Sequence, residues 1–457
     1  MFDKILIANR GEIALRVVRA CREMGVRSVA VYSTEDADSA PVRLADEAVR
    51  IGPAAAKRSY LNIPAIIEAA AMTGADAVHP GYGFLSEDPD FAEICEQEGL
   101  TFIGPPAGVL ARLGDKSTAR SLMSRAGLPL LPGTVEPLGD LDAARRAAGA
   151  VGFPVIVKAV AGGGGRGMHV ADDEAGLAAA YARARSDAQA FFGDGRVYAE
   201  RYLRTARHVE VQVLADAHGN VICLGERDCS VQRRNQKLIE ETPAPALAAE
   251  MLAEMKRAAL RGAAEVGYRG AGTFEFLVSP DGEFYFMEVN GRIQVEHPVT
   301  ELATGIDLVQ EQIRVAAGLP LRYAQDDVVP RGAVIECRIN AEDPERGFAP
   351  APGVLAEFTA PAGPFVRVDT HGFTGARISP SYDSLLAKVV VWAPDRGTAI
   401  ARMRRALAEF AVSGRGVRTT REFLLRVLGD RRFAEAAHGT SLVADLLTEE
   451  AAEAGGG

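Results

Sequence analysis

The chain has 457 residues, 48% hydrophobic and 25% charged, which fits two or three packed domains rather than one core. Its 51 basic and 61 acidic residues leave a net charge of −10, which argues against broad binding to nucleic acid or to an anionic membrane. Cys21, Cys95, Cys223, Cys229 and Cys337 are odd in number and form no CxxC pair, so neither a disulfide framework nor a zinc cluster is expected. Asp3, Lys4, Arg10 and Glu12 interrupt any apolar signal core and no later run approaches a membrane span, so a cytoplasmic protein is expected.

Residues 4–8 and 28–32 read as buried strands around a helix whose Ile13, Val17, Ala20, Cys21 and Met24 share one face, a βαβ opening. Asn9-Arg10-Gly11-Glu12 stands in its first turn in place of GxGxxG, which removes the main support for a nicotinamide or flavin site. Further strands are expected at 75–79 and 101–104, and the first α/β domain at residues 1–115. A Pro- and Leu-rich stretch at 127–133, a helix, a strand at 153–159, a glycine run and a strand at 196–203 suggest a mobile lid subdomain at 116–203. Strands at 208–215 and 221–226 open a central domain at 204–330, followed by a C-terminal domain at 331–448 and a frayed tail at 449–457. The fold class expected is a multidomain mixture of α/β and α+β.

The five glycines between 162 and 167 permit positive φ, and successive amides there suit phosphate oxygens, making Gly163, Gly164 and Gly165 candidates. The ending of a Walker A loop is absent, and a flexible hairpin tip is the alternative; Lys158 just upstream favours phosphate. Between residues 285 and 297, Glu288, Asn290, Arg292, Gln294 and Glu296 recur at every second position, which puts them on one face of an extended chain. Plain solvent-facing polarity would also produce that alternation. Upstream, Glu275 lies between Phe274 and Phe276, and Ser279-Pro280-Asp281-Gly282 supplies a turn. Pairing Val278 with Glu283 sets Glu275 opposite Phe286 and diagonal to Glu288, about 7–8 Å away. Magnesium favours a couple of carboxylates together with phosphate oxygens, so Glu275 and Glu288 are expected to form a platform for Mg²⁺-ATP. The basic stretch 232–237 fits a solvated loop and a functional basic segment about equally, and 336–340 reads as a strand with an exposed or paired arginine; neither decides a function alone.

Six segments taken in order closely resemble the biotin carboxylases of the ATP-grasp superfamily over almost the whole chain. They are Ile5-Leu-Ile-Ala-Asn-Arg-Gly-Glu12, His79-Pro-Gly-Tyr-Gly-Phe-Leu-Ser-Glu87, the glycine loop, Arg207-His-Val-Glu210, Gln294-Val-Glu-His-Pro-Val-Thr-Glu301 and Glu336-Cys-Arg-Ile-Asn-Ala-Glu-Asp343. The resemblance implies a nucleotide between the lid and the C-terminal domain, with the glycine loop closing over it. It implies that Lys116, Lys158 and His208 contact phosphate, that Glu200, Arg201 and Leu203 hold adenine, and that Asn235 touches the nucleotide. Glu275, Glu288 and Asn290 match magnesium positions, with Mn²⁺ as the alternative ion. Lys237, Arg292, Gln294 and Val295 match a bicarbonate pocket, Glu296 its base, and Arg338 the group facing biotin.

The activity so implied converts ATP, bicarbonate and biotin on a carrier to ADP, phosphate and carboxybiotin through carboxyphosphate. This is the first half-reaction of an acetyl-CoA or other acyl-CoA carboxylase, supplying malonyl- or methylmalonyl-CoA for fatty-acid or related synthesis. Family biotinyl domains use a Met-Lys-Met turn, whereas this chain has only Met255-Lys256. A separate biotin carboxyl carrier protein, a separate carboxyltransferase and a homodimer are therefore expected, without nucleic acid or membrane. Two positions depart from the family: Asn235 where histidine is usual, and Gly291 where threonine or serine is usual. A weaker ATP contact and a looser strand are expected there. The competing readings are another ATP-grasp carboxylate–amine ligase and an inactive nucleotide-binding scaffold.

Overall fold

Strand β1 (Lys4–Ile7) is buried along its whole length. Its side chains alternate between two cores: Ile5 and Ile7 pack with Ala14, Val17 and Cys21 of helix α1 (Gly11–Glu23), whereas Leu6 packs with Val29 and Phe91 on the other side. An apolar run buried on both faces is what a parallel strand between helices requires. The computed structural model, which describes residues 1–134, 136–161 and 167–455, places β1 at the centre of a five-stranded sheet of order β3-β2-β1-β4-β5. The other strands are β2 (Arg27–Ser33), β3 (Glu47–Gly52), β4 (Ala77–His79) and β5 (Thr101–Phe102), and every pairing is parallel.

Strands β6 (Val155–Ala159), β7 (Met168–Ala171) and β8 (Val197–Arg201) form a small antiparallel sheet of order β7-β6-β8. Val155, Val157 and Val197 pack against Leu177, Ala184 and Ala188 of the helix Glu174–Phe192, giving this unit a core of its own. The loop between β6 and β7 contains Gly163, Gly164 and Gly165, which lie outside the described residues.

The largest sheet has eight strands. Its order is β13 (Phe284–Asn290), β12 (Gly270–Val278), β9 (Arg207–Ala215), β10 (Val221–Arg233), β11 (Gln236–Thr242), β14 (Ala333–Asn340), then Leu385–Ala393 and Val366–Thr370. Pairing of β11 with β14, from Ile239↔Cys337 to Thr242↔Val334, carries this sheet across the boundary expected at residue 330. Of the two readings of the basic stretch 232–237, the structure gives an ordered one: it is the tip of the β10–β11 hairpin, with Gln232↔Lys237 and Arg233↔Gln236 paired and residues 234–236 exposed. Arg234 and Asn235 form its two-residue turn at φ 47° and 65°, a backbone that asparagine tolerates well. Residues expected as a frayed tail from 449 are helical through Gly455 in the helix Leu442–Gly455, where Glu449 accepts from Arg432 and Glu450 pairs with Arg426. Among the described residues, no helix is long and apolar enough to cross a membrane.

Candidate active site

Glu275 and Glu288 face each other directly across β12 and β13. The expected register, with Glu275 opposite Phe286, is therefore incorrect, for two local reasons. The turn holds three residues, since Ser279 N–H donates to Glu283 O (2.8 Å) and Gly282 takes φ +82°, so Val278 pairs with Phe284. A bulge then slips the ladder between Glu275 and Phe276, leaving Met287 as the extra residue and moving Glu288 opposite Glu275.

The polar face beyond Asn290 is also built differently from the expected strand. β13 ends at Asn290, and residues 291–296 leave the sheet before the helix His297–Thr304, which Pro298 opens in its first turn. Ile293 anchors this loop in an apolar cluster with Ile13 and Leu224. Gly291 N–H donates to Glu87 Oε1 at 2.9 Å, and Gln294 Nε2 donates to Thr273 Oγ1 at 2.7 Å. Arg292, Gln294, Val295 and Glu296 still reach the cavity, carried there by these anchors rather than by strand alternation.

At the centre, the Lys237 ammonium touches Glu210 Oε2 at 2.6 Å, Glu275 Oε1 at 2.9 Å and Glu296 Oε1 at 2.7 Å. The other oxygen of Glu296 accepts from Arg338 Nη2 at 2.9 Å, while Arg338 Nε donates to Glu240 Oε1 at 2.6 Å. Burial pushes the Glu296 carboxyl up, but Lys237, Arg338 and Arg227 outweigh it and hold the group well below the usual carboxylate range. Glu275 is lowered in the same way, burial being overcome by Lys237 and by His208, whose Nε2 lies 2.9 Å from Glu275 Oε2. Glu288 moves the other way: burial and then the charge of Glu275 raise it, and it makes no hydrogen bond or ion pair with a described residue. Two facing carboxylates with Asn290 Nδ2 on Glu275 Oε1 (2.7 Å) form an oxygen-rich donor set in which Glu275 is paired with Lys237 and His208 while Glu288 has no ion-pair partner among the described residues, which leaves it free for a hard divalent cation.

Arg292 is spread over several acceptors: Glu87 Oε2 at 2.8 Å, Gln294 Oε1 at 2.7 Å and Asn290 Oδ1 at 3.0 Å. Toward β6, the Glu200 carboxylate contacts the Lys158 ammonium through Oε1 and Arg120 Nη1 through Oε2 at 2.9 Å. Burial lowers Lys116, which lies near Glu288 and Lys158. All the expected site residues that are described, including Arg201, Leu203 and Asn235, line one cavity of about 1080 Å³.

Sequence reasoning assigned no role to Glu87, Arg120, Glu210, Arg227, Glu240 or Lys388. Arg227, fully buried, donates to Glu210 Oε1 (2.7 Å) and Thr300 Oγ1 (2.7 Å) behind Lys237. The signal for Glu210 was present: Glu210 and Gln212 alternate with Val209, Val211 and Val213, the same pattern that drew attention to Glu275. Lys388 gives no such signal, because it sits alone in an otherwise apolar strand, yet its ammonium donates to Val295 O at 2.9 Å and pairs with Glu12 Oε1 at 3.0 Å.

Family models match nearly end to end: biotin carboxylase N-terminal domain over residues 1–110, carbamoyl-phosphate synthase L chain ATP binding domain over 115–324, and biotin carboxylase C-terminal domain over 336–445. The biotin carboxylase of Nostoc sp. is 52% identical over 445 residues, covering 97% of this chain and 99% of that one. Among solved structures, the Campylobacter jejuni biotin carboxylase, a beta-gamma-ATP complex, superimposes with TM-score 0.95 at 47% identity over 97% of this chain and 99% of that one. The biotin carboxylase domain dimer of Hydrogenobacter thermophilus 2-oxoglutarate carboxylase, with MgADP, ADP and bicarbonate, gives TM-score 0.94 at 46% identity over 97% and 98%. With three consecutive domain models matched and half of the residues identical to a full-length relative, the chain belongs to the biotin carboxylase family of ATP-grasp enzymes.

Proposed function

We propose that this chain carboxylates biotin on a carrier protein, using ATP and bicarbonate and releasing ADP and phosphate. The observation that carries the reading is Glu296, a buried carboxylate with one oxygen on Lys237 and the other on Arg338, beside Arg292. Bicarbonate is a poor nucleophile until it loses its proton, and Glu296 accepts that proton while Arg292, Lys237 and Gln294 hold the anion. In the free chain Glu296 is ionised but weakly basic. Anionic substrates competing for Lys237 and Arg292 loosen that grip and raise its basicity at the moment it is needed.

Deprotonated bicarbonate attacks the γ-phosphorus of ATP, the bond to the β-phosphate oxygen breaks, and carboxyphosphate and ADP form. Carboxyphosphate yields CO₂ and phosphate; phosphate takes the N1′ proton of biotin, and Arg338 stabilises the resulting ureido anion while it attacks CO₂. Glu275, Glu288 and Asn290 would hold a magnesium ion, which when bound neutralises phosphate charge. Lys116, Lys158 and His208 serve the phosphates, while Glu200, Arg201, Leu203 and Asn235 serve the rest of the nucleotide under the lid of residues 116–203.

The carrier-borne biotin and a separate carboxyltransferase complete the reaction, and the chain works as a homodimer in the cytoplasm, where its buried free cysteines stay reduced. The acyl acceptor we favour is acetyl-CoA or another acyl-CoA, and the carboxyltransferase makes that choice. The test is ADP release with Mg²⁺-ATP and bicarbonate, with and without free biotin, in the parent chain and in Glu296→Ala and Arg338→Ala. Biotin stimulation lost in both variants supports the reading; stimulation by an amine and not by biotin replaces it with another ATP-grasp ligase.

A further inference from the structure

Behind Arg338 lie two buried carboxyls that the reaction above does not use. Glu240 on β11 and Glu336 on β14 are register partners and both are fully buried. Directly opposed residues of an antiparallel pair have Cβ atoms roughly 5 Å apart, so these side chains are within reach of each other. Glu240 Oε1 takes the guanidinium of Arg338, but Glu240 Oε2 and both oxygens of Glu336 are buried without a hydrogen-bond partner among the described residues. Three orphaned carboxyl oxygens at one place require an explanation, because an unpaired buried charge is among the most unfavourable groups in a protein.

Among the described residues, no cation forms an ion pair with Glu336. Lys388 is the cation that acts most strongly on it, and its ammonium is committed to Val295 O and Glu12 Oε1, with Asp369 Oδ2 at 3.9 Å. Arg338 is taken by Glu240 and Glu296, and Lys237 by Glu210, Glu275 and Glu296. From the helix packed over this part of the sheet, His297 uses Nδ1 on Gln294 O, and its Nε2 makes no hydrogen bond but lies 3.9 Å from Glu301 Oε2. Cys337 points to the opposite face, into the apolar core with Ile335 and Ile339.

We propose that Glu240 and Glu336 form a carboxyl pair sharing a single proton, which positions Arg338 and sets how firmly it is held away from biotin. The inference rests on the role given to Arg338 above. A neutral Glu336 donates its O–H to the free oxygen of Glu240, satisfying both at once, and leaves the pair with one negative charge. That charge is shared between the proton and Arg338, so the arginine is anchored without being locked. When Glu296 takes its proton, Arg338 loses one of its two carboxylates and remains attached through Glu240 alone. Burial raises Glu336 well above the carboxylate range and brings Glu240 to about 7, consistent with one proton between them at neutral pH. Loss of that proton at alkaline pH places a second charge behind Arg338 and tightens the hold.

Infrared difference spectroscopy of the full chain, parent against Glu336→Gln, reads the proton directly. A carboxylic-acid carbonyl band present in the parent at neutral pH and missing in the variant is the expected result; identical spectra overturn the proposal. Steady-state kinetics supply the functional arm. Glu336→Gln shifts the alkaline limb of biotin-dependent kcat upward by about one pH unit or more. Glu240→Gln lowers that kcat about tenfold, the scale of one charge-assisted hydrogen bond, with the KM for ATP held within about twofold. Superimposable alkaline limbs, or kcat and ATP KM falling together in Glu240→Gln, overturn it. Arg338→Ala is the control: if it keeps full biotin stimulation, the function assigned to Arg338 fails, while the infrared result still decides whether the pair shares a proton.

Discussion

Lys237 Nζ and Glu296 Oε1 meet at 2.7 Å in a pocket where the same ammonium also neutralises Glu210 and Glu275. One cation thus compensates three buried carboxylates, with Arg227 and Arg338 supporting from either side. The Lys237→Met change removes their shared cation and leaves Glu210, Glu296 and Glu275 with Arg227, Arg338 and His208 alone, and a loss of about 3–5 kcal/mol is expected, the range for breaking a buried ion pair. Chemical denaturation of the variant against the parent measures it, and a Lys237→Arg change recovers part of the loss.

The same network makes stability acid-sensitive. Glu275 and Glu296 are held below their ordinary value of 4.5, so their contribution is fully present above that value. It is lost as pH falls through their lower folded values, because the unfolded chain takes up protons first. Glu288, raised by burial and by Glu275, contributes with the opposite sign, and its penalty fades as acid protonates it. Melting temperature is therefore expected to fall below about pH 4.5 in the parent, and Glu296→Gln to show a shallower acid decline.

Much of this site was legible before any fold was known, and the reasons differ by residue. Glu275 declares itself because a strand that alternates Phe, Glu, Phe cannot bury the carboxylate without a use for it. Its direct pairing with Glu288 was not legible, because turn length and a bulge set register and neither has a sharp sequence signature here. Arg292 and Glu296 line the cavity, but not in the local structure that periodicity suggested: it read them on one face of a strand, whereas Ile293 and Pro298 shape a loop and a helix start. Lys388 and Arg227 were illegible, since a buried charge is recognisable only when its partners, distant in sequence, are folded against it.

Glu200 on β8 ties that strand to Arg120 of the helix Lys116–Arg125 and in doing so restrains Lys158. Removal of Arg120 concentrates the full charge of a buried carboxylate on Lys158, leaving that ammonium less available to an anionic ligand. Arg120→Met is expected to raise the KM for ATP about tenfold with a smaller effect on biotin stimulation at saturating ATP, checked by nucleotide titration of the purified variant.

Gly291 has a packing explanation. A Cβ there would lie 2.9 Å from Leu110 Cδ2 and 3.5 Å from Pro105 Cγ, while its N–H is already engaged by Glu87. Gly291→Thr in the parent is expected to lower stability by about 1–3 kcal/mol through overpacking, and a Leu110→Val change made with it to recover part of that. A double-mutant cycle by thermal or denaturant unfolding measures the coupling, which is absent if the two sites are independent.

Asn235 occupies the second position of the β10–β11 turn at φ 65°, exposed at the mouth of the cavity. Histidine is among the few residues that tolerate this backbone, so Asn235→His is expected to leave the melting temperature nearly unchanged. A β-branched residue is not tolerated there, and Asn235→Val should lower stability by roughly 1–2 kcal/mol and fray the hairpin that carries Lys237. The two variants separate turn geometry from ligand chemistry. If Asn235 contacts the nucleotide, the imidazole, which is partly cationic near neutral pH, lowers the KM for ATP, and the gain shrinks as pH rises past the ordinary histidine range. An ATP KM identical to the parent at acid and alkaline pH would show instead that the side chain at this turn makes no use of the phosphates.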